Sequence, residues 1–265
     1  MTNPITSTVV VDDGTEIAVH RWDPPVGDLP PVLLQHGFIS NTLLEWAGRG
    51  MVAALLAAGR TVIGVDARGH GASQKSPDPA RYGEGRMAAD LRAVIARLGV
   101  PAVDLVGYSM GSVVAAITAS REPLVRRLVL GGTGAGLVEL GGVDTRVIPT
   151  ADLAEALLTD DLAGLPPALA AFRGFADAVG SDRPSLAAQA LAAHAGPVDL
   201  GAITAPTLVI AGDADPLATR PEVLAAAIPG ASLRLVAGDH MTAGGSLEFR
   251  TTVIEFLAET QEHSS

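Results

Sequence analysis

Short runs dense in Val, Leu and Ile recur along this chain, at residues 32–35, 61–65, 103–106, 128–130, 207–210 and 233–236. Near-continuous apolar runs of this length suit strands buried on both faces, as in a parallel sheet. Helix-like segments separate most of them. One spans 43–58 and stops at Gly59, and another spans 85–98 and stops at Gly99, glycines placed to cap a helix C-terminus. Strand and helix alternating with short links predict a doubly wound α/β sheet. Upstream of the first buried run, residues 7–11 and 16–22 flank Asp12-Asp13-Gly14, a hairpin signal, so the sheet is expected to open with an antiparallel pair.

The rhythm breaks between Gly132 and Thr204. This stretch is rich in Ala and Leu and carries Pro149, Pro166, Pro167, Pro184 and Pro197, with no convincing buried strand. Short helices joined by proline-marked turns are expected there, as an insertion on one end of the sheet. With 265 residues, 48% of them apolar, the chain can bury one large core around such a sheet. The expected division is therefore a core from 1–131 and 205–265, with 132–204 inserted in it.

Charge and composition exclude several classes of function. A net charge of −11 argues against nucleic acid as a partner. The absence of cysteine removes disulfides, thiol nucleophiles and thiolate metal sites, and fits a cytoplasmic setting. Residues 1–6 lack the basic and apolar regions of a secretory signal, and no run of about 18 uncharged apolar residues is present, so neither export nor membrane insertion is expected. Lys75 is the single lysine and alanine is abundant, a composition similar to that of high-GC bacteria. No His/Asp/Glu cluster has metal-ligand spacing, and no cofactor is expected.

The chemistry-bearing signal is Gly107-Tyr108-Ser109-Met110-Gly111, a G-x-S-x-G sequence after the run 103–106 and before a potential helix. A serine on a sharp strand-to-helix turn exposes its hydroxyl, and the flanking small residues let the backbone crowd together. Such a hydroxyl needs an oriented base. In sheets with this turn the chain order is serine, acid, histidine. His194, His240 and His263 follow Ser109. His263 lies in the polar tail and His194 within the inserted stretch, whereas His240 directly follows the run 233–236 and a turn, which makes it the expected base. The acid is expected after the run 207–210, in Gly212-Asp213-Ala214-Asp215-Pro216, where either aspartate could orient the imidazole. Backbone amides of Met110, just after the serine, and Phe38, in the loop His36-Gly37-Phe38, are the expected oxyanion donors.

With these residues assembled, the chain resembles the α/β-hydrolase family over nearly its whole length. His36-Gly37 looks like the family's oxyanion-loop motif. Residues Asp66-Ala67-Arg68-Gly69-His70-Gly71-Ala72-Ser73 are similar to its D-x-R-G-x-G-x-S signature. Residues 107–111 resemble the nucleophile elbow, 212–215 the acid loop and 238–240 the histidine loop. Within that pattern the acid takes the last position of G-x-x-D, which favours Asp215 over Asp213. The resemblance implies a mostly parallel eight-stranded sheet with an N-terminal antiparallel hairpin, and a helical cap over the active site at 132–204. It also implies that His36, Arg68 and His70 brace loops rather than move protons. Serine at position 109 disfavours the dehalogenase and epoxide-hydrolase branches, for which the resemblance would imply an aspartate nucleophile.

The activity implied is a cofactor-independent serine hydrolase acting on a small-molecule ester or related acyl substrate. Lactonase, thioesterase, carbon–carbon bond hydrolase and cofactor-free perhydrolase chemistry use the same triad. A non-catalytic ligand binder is the rival from another class, and a chain that keeps Ser109, Asp215 and His240 together argues against it. The pocket is expected to be mainly apolar, formed by Phe38, Gly37, Tyr108, Met110, Met241 and the inserted Phe172 and Phe175, and suited to small or medium acyl groups. Trp46 is expected in the core and Glu45 on a solvated helix face. The glycine-rich 131–136 lacks the Lys-Ser/Thr ending of a phosphate loop and is expected to be a flexible lead-in to the insertion.

Overall fold

The computed structural model describes residues 3–27 and 29–259; His263 lies outside the described residues. These residues form an eight-stranded sheet whose strands are β1 (Ile5–Val10), β2 (Glu16–Trp22), β3 (Val32–Gln35), β4 (Val62–Val65), β5 (Val103–Tyr108), β6 (Val125–Gly131), β7 (Thr207–Gly212) and β8 (Ser232–Val236). Their spatial order is β1-β2-β4-β3-β5-β6-β7-β8. β1 and β2 pair antiparallel, as do β2 and β4, and every later pairing is parallel. The chain places β4 on one side of β3 and β5 on the other. Ligands of open α/β sheets bind at such a switch point, beyond the carboxyl ends of the strands.

Alternation along the buried strands divides the core into two layers. Leu33 and Leu105 face one layer, packed with Met87, Leu91 and Val94 of α2 (Glu84–Leu98) and with Val113 and Ala116 of α3 (Met110–Ala119). Val32, Leu34 and Val106 face the other, packed with Leu55 of α1 (Met51–Ala57) and with Phe249, Val253 and Leu257 of α9 (Leu247–Ala258). Burial of the apolar strands on both faces makes the near-continuous hydrophobic runs legible as parallel strands.

Between β6 and β7 lie α4 (Ala135–Glu139), α5 (Thr150–Leu158), α6 (Pro167–Ala178) and α7 (Arg183–Leu191); α8 (Pro221–Ala227) follows β7. Pro167 and Pro184 occupy first-turn positions of α6 and α7, where the missing N–H has no intrahelical partner in any case. The three longer inserted helices bury a small core of their own, with Leu153, Leu157, Ala176 and Leu186 packed on Ile39 from the loop after β3.

Four local expectations are corrected. The segment 43–58 is not one helix. Residues Leu43–Ala47 form a π-helical turn, Gly50 turns left-handed at φ 84°, and only then does α1 begin. Glu45 is not solvated: it is 6% exposed and pairs with Arg49 at 3.2 Å, because the π-turn rotates it beneath the loop after β3. The run 233–236 is not buried on both faces. β8 is the sheet edge, and Leu235 is 53% exposed. Residues 131–136 are packed rather than a loose lead-in. A Cβ on Gly132 would press on the Tyr108 ring, one on Gly134 would overlap the Thr219 carbonyl, and the Ala135 amide donates to that same carbonyl at 2.9 Å. No helix among the described residues is long and apolar enough to cross a membrane.

Candidate active site

Ser109 lies between β5 and α3, as the cap residue of the helix, with φ 54° and ψ −122°, a conformation unfavourable for a residue with a side chain. The neighbouring glycines make it attainable. A Cβ on Gly107 would collide with the Gly111 carbonyl, and one on Gly111 with the Gln35 carbonyl of β3. The Ser109 amide donates to Gly131 O at 2.8 Å, and Ser112 Oγ donates to the same carbonyl at 2.7 Å, so the elbow is tied to β6.

His240 follows β8 and bridges two groups. Its Nδ1 lies 2.8 Å from Asp215 Oδ2 and its Nε2 lies 2.9 Å from Ser109 Oγ. A proton on Nδ1 donated to the carboxylate leaves Nε2 with the lone pair that accepts the serine hydroxyl. Asp215 has a fully buried side chain, and its second oxygen accepts the Leu217 amide at 2.8 Å. Asp213 is exposed and serves differently, with Oδ1 accepting the Gly238 amide at 3.0 Å. The Tyr108 hydroxyl donates to the His240 carbonyl at 2.8 Å and the two rings pack 5.4 Å apart. Asp239 accepts from the amides of Met241 and Thr242 and from the Thr242 hydroxyl, bonds that hold its carboxyl below the ordinary range and fix the turn carrying His240.

The loop after β3 brings Gly37 against the elbow, where a Cβ would stand 3.3 Å from Ser109 Cβ. His36 accepts the Ala67 amide at Nε2 (3.0 Å), which leaves Nδ1 to donate to the Gly37 carbonyl at 2.7 Å. The Ser40 amide donates to that carbonyl as well, at 3.3 Å. In a trans peptide the N–H points opposite to the C=O. Anchoring the Gly37 carbonyl therefore fixes the direction of the Phe38 amide. Met110 is the first residue of α3, so its N–H has no intrahelical partner.

His36 and His70 are both buried, and burial is the main cause pushing each imidazole pKa down, to about 3 for His70. Both are neutral structural groups. Arg68 is 1% exposed and forks onto Asp90 at 2.6 and 2.7 Å while also reaching Asp13 and the Arg81 carbonyl. Asp66 accepts from the Thr42 and Ala72 amides and from His20. Burial opposes its charge, yet the His20 bond and the two amides hold the carboxyl well below the usual range. These contacts clamp the loop after β4 beneath the loop after β3.

A cavity of about 90 Å³ opens beside Ser109, walled by Phe38, Met110, Val143, Ile148, Leu153 and Phe172 among others. Four of the residues expected in the pocket do not line it. Tyr108 turns to the opposite face of β5 and packs on Phe249. Phe175 joins the inserted helices' own core, with Phe172 one turn earlier facing the cavity. Met241 is 51% exposed beyond the histidine turn. Gly37 backs the serine without lining the cavity. Sequence reasoning missed Glu84 and Gln189, which also line it. Glu84 looks like any first-turn helix acid and Gln189 like any polar residue of a surface helix, so no sequence signal distinguishes them. His194 contributes its backbone amide, which donates to Glu84 Oε2 at 2.6 Å.

A family model described as alpha/beta hydrolase fold matches residues 30–173. The chain belongs to the α/β-hydrolase family. Among curated relatives it is 40% identical over 104 residues to the mouse sn-1-specific diacylglycerol lipase ABHD11, a match covering 38% of this chain and 32% of that protein. The chain spans about a third to a half of the length of the first such relatives it matches, 55% in the case of a putative 2-succinyl-6-hydroxy-2,4-cyclohexadiene-1-carboxylate synthase of Bacillus subtilis. Solved α/β-hydrolase relatives match over nearly the whole length. A hydrolase from Pseudomonas aeruginosa is 27% identical with a TM-score of 0.76, covering 96% of this chain and 98% of its own. The enol-lactonase of Burkholderia xenovorans is 26% identical with a TM-score of 0.71, covering 96% and 100%.

Proposed function

We propose that this α/β-hydrolase is a cofactor-independent serine hydrolase that cleaves a small carboxylic ester or related acyl substrate through an acyl-enzyme. The reading rests above all on one arrangement: a single imidazole hydrogen-bonded to both Asp215 and Ser109, with Ser109 on a left-handed elbow. His240 removes the proton from Ser109 Oγ as that oxygen attacks the substrate carbonyl. The tetrahedral oxyanion sits between the Phe38 and Met110 amides. His240 then returns the proton to the leaving alcohol, and the acyl–serine ester forms. Water, deprotonated by His240, attacks that ester in turn and releases the acid.

Asp215 holds the imidazole in the Nδ1–H tautomer and stabilises the imidazolium formed at each step. Preorganised amide dipoles contribute because they are already oriented when the oxyanion develops, and loss of one donor in such a hole costs on the order of 3 kcal/mol. Residues 132–204 act as a cap that closes the acyl pocket and selects the substrate. The mostly apolar wall and the modest cavity favour small to medium acyl groups. A panel of p-nitrophenyl esters, lactones and thioesters, assayed beside Ser109→Ala, tests the reading. Turnover of at least one class that disappears in the variant supports it, whereas turnover equal in both proteins places the chemistry elsewhere.

A further inference from the structure

Glu84 and Gln189 are each 2% exposed and both line the cavity that holds Ser109. They come from different layers, Glu84 from the first turn of α2 and Gln189 from α7 in the insertion. Gln189 Oε1 accepts the Gly83 amide at 3.3 Å, which assigns its amide group and turns Nε2 toward Glu84 Oε1 at 3.5 Å. Glu84 Oε2 accepts the His194 amide at 2.6 Å. The pair is therefore rigidly placed, yet the contact between Nε2 and Oε1 is at the limit of hydrogen bonding and the carboxamide has a second N–H to give. Asp144, the other acid at this cavity, has both oxygens taken by Arg146.

We propose that this pair recognises a hydroxyl group on the acyl chain of the substrate, so that the enzyme prefers hydroxyacyl esters to plain alkanoyl esters. The inference rests on the serine-hydrolase reading of the site and deepens it. A hydroxyl donates to Glu84 Oε1 and accepts from Gln189 Nε2, so that a single small neutral group answers both. An acyl carboxylate would meet the acid at close range. Burial pushes the Glu84 carboxyl pKa up, against the bonds from the His194 amide and its own backbone amide, and a hydroxyl pairs with either protonation state where an ammonium does not. A plain alkyl chain would cover the pair and leave Oε1 with its one weak contact to Gln189 improved by nothing and the spare N–H unmatched, the situation in which buried polar groups discriminate most strongly.

The test compares p-nitrophenyl 6-hydroxyhexanoate with p-nitrophenyl hexanoate. Wild type is expected to favour the hydroxylated ester in kcat/KM by about tenfold, the worth of one good hydrogen bond. Glu84→Leu and Gln189→Leu, which remove the polar groups, should each bring the ratio toward one, in proteins shown to be folded by circular dichroism. A role confined to tying the insertion to the core would change stability and leave the ratio unmoved. A wild-type ratio of one or less overturns the inference, as does a preference that survives in both folded variants. Hydrolysis of both esters with no preference refutes the hydroxyl site alone. Absence of any hydrolysis together with a Ser109 that a fluorophosphonate fails to label refutes the serine-hydrolase reading, and this inference with it.

Discussion

The neutral histidines under the active-site loops make stability depend on pH well above the carboxylate range. His70 is 3% exposed, and its Nδ1 donates to the Arg68 carbonyl at 3.0 Å while Nε2 is buried without a partner. Burial, then the neighbouring His36, push its pKa from 6.5 to about 3. The unfolded chain takes up a proton below about pH 6.5 that the folded protein refuses. The contribution of His70 is therefore fully present above that value and is lost progressively as the pH falls toward 3. At about pH 5 the proton uptake lies some 1.5 units inside this window, which amounts to roughly 2 kcal/mol. His70→Asn keeps a side-chain N–H for the Arg68 carbonyl and removes the titration. Urea unfolding of both proteins at about pH 7.5 and about pH 5 measures the effect. The variant is less stable at the higher pH because it loses ring packing against Phe38 and His36, but its further loss on acidification should be smaller than wild type's by about 2 kcal/mol. Equal losses on acidification in the two proteins would refute the buried neutral imidazole. His36, depressed in the same direction, adds to the wild-type slope and survives in the variant.

The two acids of the loop after β7 should separate cleanly. Asp215→Asn is expected to lower kcat by about four orders of magnitude, the loss that follows in serine-protease triads when the imidazole is held in the wrong tautomer, whereas Asp213→Asn keeps an oxygen that can accept the Gly238 amide and should cost less than about tenfold; ester hydrolysis measures both. Gly111→Ala forces a methyl into the Gln35 carbonyl and should cost about 3 kcal/mol or more in thermal or urea unfolding, with Ser109 displaced. Tyr108→Phe loses the bond to the His240 carbonyl and should lower kcat by about three- to tenfold with KM little changed, because the histidine turn loosens while the pocket wall is untouched; a change confined to KM would contradict that placement.

Much of this architecture was legible because the sheet reads directly in the sequence. Val32–Gln35 and Glu16–Trp22 are recovered to the residue, and Phe38, Ser109, Asp215 and His240 each fall just beyond a strand end that the apolar runs mark. The acid was separable from its neighbour only by the family pattern, since Asp213 and Asp215 share the same turn chemistry. What sequence could not show depends on long-range rotation. Glu45 is buried because a π-turn places it there, and Tyr108 misses the pocket because strand alternation sends it to the Phe249 side. The edge position of β8 is a fact of topology that Leu233 and Leu235 do not announce. Glu84 and Gln189 meet only when the inserted helices dock, 105 residues apart in the chain.

The central claim is that Ser109 is a nucleophile activated by His240. Intact-protein mass spectrometry after treatment with a fluorophosphonate, with peptide mapping of the adduct, addresses it most directly. Wild type should gain a single phosphonyl group on Ser109, and folded Ser109→Ala should gain none. A folded wild-type protein that stays unlabelled, or a variant labelled to the same extent, would contradict the account.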